Sequence, residues 1–206
     1  MSNLRPALVL LVLFTALTGL VYPFAVTGVG QLVFPAQANG SLIVQDGRVV
    51  GSDLIGQAFT ADRYLWPRPS ATSAPDPADP TKTVDAPYNA AASTGSNLGP
   101  TSRKLADRLT ASSDAWRNAG LAQPIPGDAV TTSGSGLDPH ISPAFALAQA
   151  PRIAAARNLS EGQIRHVIEA AIEGRTFGII GEPRVNVLRV NQALDRLDSQ
   201  TGRDVS

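Results

Sequence analysis

Serine, aspartate and histidine meet within eight positions in Ser133-Gly134-Ser135-Gly136-Leu137-Asp138-Pro139-His140, preceded by Thr131 and Thr132. These are the residue types of a nucleophilic hydrolase, with Ser135 attacking and His140 taking its proton. A catalytic triad, however, sets the base between nucleophile and orienting acid, usually from distant parts of a fold. Asp138-Pro139-His140 is too tight a sequence to place both side chains around one imidazole easily. The Gly-x-Ser-x-Gly spacing of a nucleophile elbow is missing as well. A loop tied down by Asx-type and Ser/Thr hydrogen bonds explains the same residues without catalysis. A secreted or anchored serine hydrolase using the Ser133–His140 segment is the alternative function.

His166 offers a second chemistry. Glu169 and Glu173 follow it by three and seven positions, and a helical histidine with Glu at i+3 is half of a metal site. The complementary ligands are not visible, since His140 is the only other histidine and the chain has no cysteine. That composition also excludes disulfides, thiolate metal centres and cysteine nucleophiles. His166 reads as a solvated or edge-packed residue. A third segment, Leu159-Ser160-Glu161-Gly162-Gln163, is similar to the LSGGQ signature that contacts ATP in ABC transporters. Ser160 and Gln163 are thus the candidate nucleotide contacts, at a helix N-terminus whose N–H groups face phosphate. The same Ser-x-x-Gln spacing is a capping box that needs no ligand, and no Gly-x-x-x-x-Gly-Lys-Ser/Thr loop exists in the chain. The cap is the favoured reading.

Positioning these segments requires elements, and the first is apolar. From Ala7 to Val29 there is no charge, and the uncharged stretch runs from Pro6 to Gln45. At 1.5 Å per residue such a helix spans roughly 35 Å, enough for a hydrocarbon core of ~30 Å. Pro23 is tolerated in a span where neighbouring groups satisfy the freed carbonyl. A cleaved signal peptide is the rival, with Ala36-Gln37-Ala38 as a small-x-small site, but its apolar region would be shorter. Arg5 precedes the span and the next basic residue is Arg48, so the positive-inside rule places the N-terminus in the cytoplasm and residues from about 35 onward outside. With 17 basic and 17 acidic residues, nothing favours nucleic acid as a partner.

Beyond the span, Leu42–Gly51 reads as two β-branched runs around Asp46-Gly47, a type I′ hairpin signal, and Leu54–Phe59 could extend that sheet. Five prolines between Pro67 and Pro80 predict loop or extended chain. Pro100 to Gly120 carries a helical pattern through Leu105, Leu109 and Trp116. Ser142-Pro143 opens a helix, Pro151 restarts it, Ser160 opens a third that closes at Gly174, and Asn186 caps a fourth. The expected fold is α+β: one N-terminal transmembrane helix, then a soluble domain with a small antiparallel sheet and several helices. Segment 1–34 carries the span at about 7–29, and 35–206 forms the extracytoplasmic domain, with Pro/Gly/Ser-rich loops at 67–100 and 123–142.

Taken in order, Leu54-Ile55-Gly56-Gln57, Arg68-Pro69-Ser70-Ala71, Tyr88-Asn89, Ser96-Asn97-Leu98-Gly99-Pro100, Ser133–Pro143 and Val185-Asn186-Val187-Leu188 resemble one family. It is the C subunit of the bacterial Kdp potassium-transporting ATPase, and the resemblance covers nearly the whole chain. It implies a non-catalytic accessory subunit of an ATP-driven potassium uptake complex in the bacterial plasma membrane. Its partners there would be a channel-like subunit and a P-type ATPase subunit. It further implies a role as catalytic chaperone that raises affinity for ATP, which would map to Ser160 and Gln163. That mapping conflicts with a domain lying outside. The loops at 68–71 and 133–140 become candidates for contacts that order on assembly.

Overall fold

The computed structural model describes residues 3–201 of the chain, in two compact units that meet between Ser52 and Asp53. The first unit begins with helix α1, Leu4–Val33, whose 30 residues are apolar enough to cross a membrane and bury nothing inside the chain. Its middle turn, Leu17–Val21, widens to π geometry. Pro23 supplies the cause: it has no N–H for the carbonyl of Gly19, and its ring crowds that carbonyl. A short turn α2, Pro35–Ala38, follows and takes in the small-x-small Ala36-Gln37-Ala38. Strands β1, Leu42–Gln45, and β2, Arg48–Ser52, then pair antiparallel. Asp46 and Gly47 both have positive φ, +50° and +75°, as a type I′ turn demands.

The second unit holds two further sheets. Strands β3, Ser73–Pro75, and β4, Thr83–Asp85, form a hairpin inside what the prolines suggested was loop. Helix α3, Arg103–Asn118, ends at Gly120 with φ +80°. A single turn α4, Gly127–Val130, precedes strand β5, His140–Ile141. Helices α5, Pro143–Ala148, α6, Ala150–Arg157, and α7, Glu161–Ala170, follow. Strands β6, Ile172–Glu173, and β7, Arg184–Asn186, complete an antiparallel sheet of order β5-β7-β6. The last helix is α8, Val187–Thr201.

Side-chain caps open some of the helices. Ser142 accepts from the Phe145 N–H at 3.1 Å, and Asn186 accepts from the Arg189 N–H at 3.1 Å. Asn158 ends α6 in the left-handed region at φ +54°, which Asn tolerates. Two expectations shift. Leu54–Phe59 does not join β1–β2, because the Gly56 N–H binds the Leu137 carbonyl at 2.8 Å instead. Helix α7 stops before Gly174, because Ile172 leaves the helical stripe to pair with Val185 in the sheet.

The core gathers Leu65, Trp116, Phe145, Ile153, Ile164, Ile168, Val185, Val190 and Leu194. Trp116 lies at its edge, 5.0 Å and edge-on from Phe145, and its indole N–H donates to the Ala129 carbonyl at 2.9 Å. That bond satisfies the one polar atom of a buried indole.

Candidate functional site

The segments 68–72, 86–94 and 133–138 are knitted to one another by side chains that replace a sheet ladder. Ser70 Oγ donates to the Gly136 carbonyl at 2.7 Å and accepts from the Tyr88 N–H at 3.0 Å. Tyr88 donates its hydroxyl to the Arg68 carbonyl at 2.8 Å, and Thr72 donates to the Ala86 carbonyl at 2.6 Å. Asn89 Nδ2 reaches the Ser73 carbonyl at 2.8 Å, while the Thr94 N–H binds the Ser135 carbonyl at 3.0 Å. Gly136 is the closest approach. It sits at φ +68°, and a Cβ there would lie 2.6 Å from both Thr72 Cγ2 and the Thr94 carbonyl oxygen. These loops are therefore ordered by the chain's own hydrogen bonds rather than only on assembly, and the buried groups are satisfied.

One edge of this platform carries charge. Arg68 donates to Asp138 Oδ2 at 3.1 Å and to the carbonyl of Thr132 at 3.3 Å. Asp138 Oδ1 also caps the His140 N–H at 3.0 Å and stands 3.6 Å from His140 Nδ1. Burial pushes the Asp138 carboxyl up, but bonding to His140 and the Arg68 guanidinium outweigh it, and it lies below the usual carboxylate range. Beyond His140, Glu173 binds Arg184 at 2.9 Å. Arg189 grips Asp53 with both carboxylate oxygens, Nε to Oδ1 at 2.7 Å. Hydrogen bonding to Arg189 holds Asp53 below its ordinary value against the pull of burial. The acid and imidazole of 138–140 thus do come close, against the expectation from their spacing, because an Asx-type turn folds Asp138 back over His140.

The nucleophile is what fails to join them. Ser133 Oγ accepts from the Gly136 N–H at 2.9 Å and Ser135 Oγ from the Leu137 N–H at 3.1 Å. Both hydroxyls brace the turn. His166 is exposed on α7, and among the described residues no group of three or more His, Cys, Asp or Glu could hold a metal ion. Ser160 and Gln163 close a reciprocal capping box. Gln163 N–H donates to Ser160 Oγ at 3.3 Å, and Gln163 Oε1 accepts from the Ser160 N–H at 3.0 Å. Glu161 in that first turn pairs with Arg165 at 2.7 Å.

Two buried amides escaped sequence reasoning. Asn191 takes the Leu65 N–H at 2.7 Å and returns its Nδ2 to the Leu65 carbonyl at 3.0 Å. Gln149 does the same for Trp66, at 2.9 and 3.1 Å. Together they hold an extended segment as a neighbouring strand would. Arg152 covers the face of Trp66, 3.9 Å from a ring centroid, a cation–π contact. A polar residue on an otherwise apolar helix stripe, as Asn191 is between Val190 and Leu194, was the available signal. An open, mainly apolar cleft of about 380 Å³ lies between Phe59, Trp66, Tyr88 and Trp116. Two of its polar lining atoms, Ser70 Oγ and the Tyr88 hydroxyl, are already bonded within the chain.

Fold and site together define, among the described residues, one candidate membrane-spanning helix and an α+β unit whose ordered loops offer surface. The chain belongs to the KdpC family, described as the c chain of the K+-transporting ATPase, whose model matches residues 4–196. It is 59% identical to the potassium-transporting ATPase KdpC subunit of Methylobacterium nodulans over 96% of this chain and 98% of that one. It is 60% identical to that of Methylorubrum extorquens, over 94% of this chain and 96% of the relative. With the Bradyrhizobium diazoefficiens subunit it shares 57% over 95% and 98%.

Proposed function

We propose that this chain is a non-catalytic accessory subunit of an ATP-driven potassium uptake complex, holding a channel-like subunit and a P-type ATPase subunit together. The observation that carries the reading is the match over residues 4–196 to the KdpC family. The unburied α1 supports it, since a 30-residue apolar helix that is 0% buried among the described residues calls for lipid and neighbouring helices. The proposed topology puts the N-terminus in the bacterial cytoplasm and residues 35–206 outside, on the charge bias of Arg5.

Any effect on ATP affinity is then transmitted through the assembly. At Ser160 and Gln163, phosphate would have to displace the capping box and meet the carboxylate of Glu161, which favours the cap over the ligand. A C-terminal compartment reporter, read together with the mass of the mature N-terminus, tests this. An external reporter on an uncleaved chain is expected; cleavage after Ala38 or a cytoplasmic reporter would overturn the topology. In the purified complex, Ser160→Ala and Gln163→Ala are expected to leave the KM for ATP within about twofold. A tenfold rise would restore direct contact.

A further inference from the structure

His140 stands between two carboxylates that belong to different parts of the second unit. Its Nδ1 lies 3.6 Å from Asp138 Oδ1, on the loop platform, and its Nε2 lies 3.9 Å from Glu173 Oε2, on β6. The sheet explains the second approach. His140 faces Asn186 across β5 and β7, and Glu173 faces Arg184 across β6 and β7, so the period of two sets all four on one face. The imidazole is 22% exposed and lines an open cavity of about 510 Å³ with Arg68, Asp128, Asp138, Glu182 and Arg184. Water therefore reaches it, while its two partners are held in place. Arg68 binds Asp138 Oδ2 at 3.1 Å, and Arg184 binds Glu173 Oε2 at 2.9 Å.

We propose that His140 is a proton-operated clasp, closing on Asp138 and Glu173 together as the surroundings acidify and so fastening the loop platform to β6. Donor number carries the argument. A neutral imidazole has one N–H and one acceptor nitrogen, so one of the two carboxylates faces a lone pair. An imidazolium has two N–H donors and a positive charge, and serves both. Histidine is the side chain that takes up a proton between about pH 8 and pH 5. The surrounding charges are mixed. Asp128 on α4 and Glu182, itself paired with Arg175, favour the added charge, and its field extends to Asp53. Arg68 and Arg184 line the same cavity and oppose it, with Arg189 a step further, 3.8 Å from Glu173 Oε1. Each of those three guanidiniums is already turned to a carboxylate, Arg189 to Asp53 as well. The charges nearest the imidazole are thus negative on both sides. Toward about pH 4 and below, the carboxylates themselves protonate and the clasp opens again. The inference goes beyond the accessory-subunit reading and does not rest on which side of the membrane the domain lies.

The test is amide hydrogen exchange on the full chain in detergent, at about pH 8 and about pH 5.5. Rates are expressed as protection, which divides out the intrinsic pH dependence of exchange. Protection at residues 140, 141, 172 and 173 is expected to rise about fivefold on acidification. His140→Gln keeps an amide donor but takes up no proton, and Glu173→Gln removes one of the two carboxylates. In each the rise is expected to shrink below about twofold. Glu173→Gln keeps the test open where His140→Gln fails to fold. His166→Gln, which removes the chain's other histidine, is expected to keep the full rise. Unchanged or lower protection of the wild-type chain at the lower pH would overturn the inference. So would a full rise in His140→Gln, or its loss in His166→Gln.

Discussion

The helical region of residues 143–197 and the loop platform of residues 67–94 and 131–140 reach the same degree of order by different physics. The first packs apolar stripes, with Phe145, Ile153, Ile164, Ile168 and Leu194 all fully enclosed. The second has few large apolar side chains and instead spends its Ser, Thr, Asn and Tyr on backbone groups of neighbouring loops. Packing tolerates conservative change of shape, because dispersion is non-directional. A hydrogen-bonded knit does not, because each lost partner strands a buried donor or acceptor. The platform is therefore the more brittle of the two, residue for residue of apolar area, and it carries several of the segments by which the family is recognised.

The comparison can be broken at several depths. Phe145→Ala should cost about 3–5 kcal/mol, the penalty for emptying an aromatic site at the centre of the core, read by urea denaturation of the full chain in detergent. Gly136→Ala should cost about 3 kcal/mol although it adds only a methyl, since positive φ and two 2.6 Å collisions act together. A loss under about 1 kcal/mol there would show that the platform yields. Asn191→Ala should cost about 2–3 kcal/mol by stranding the Leu65 amide and carbonyl, and hydrogen exchange should quicken at 65 and 66 first. Ser160→Ala, which removes only an exposed cap, should cost about 1 kcal/mol.

Smallest is the charge on Asp138. Its folded carboxyl lies below the ordinary value, so its contribution is present above the unfolded pKa of about 3.9 and lost as pH falls through the folded value. Asp138→Asn keeps the turn acceptor, and should cost under about 1 kcal/mol at pH 7. Its stability should also fall less steeply than wild type from pH 5 downward. Equal slopes would place the acid sensitivity elsewhere, with Asp53 the next candidate.

How legible each region was follows from the same contrast. Apolar stripes repeat at 3.6 residues and caps sit at fixed offsets, so α3, α5, α6, α7 and the Asp46-Gly47 hairpin could be read from residue order alone. The platform's bonds join residues far apart in sequence, Ser70 to Gly136 and Arg68 to Asp138, with no period to betray them. Its composition of Pro, Gly, Ser and Thr looks like loop whether or not it is knitted, which is why β3 and β4 went unseen. The Ser133–His140 segment was legible as turn chemistry, while the approach of Asp138 to His140 depended on an Asx-type fold-back that spacing alone had argued against. Ser160 and Gln163 were read both ways, and the capping geometry now favours the local bond.

The proposed role is that of an accessory subunit acting through its contacts in the complex. The most direct measurement is recovery of the transport complex from membranes of cells that express the two larger subunits with and without this chain, followed by potassium-stimulated ATP hydrolysis. The account predicts that omission sharply lowers the yield of intact complex and its activity, and that adding the chain back restores both. An intact and equally active pump purified without it would contradict the account.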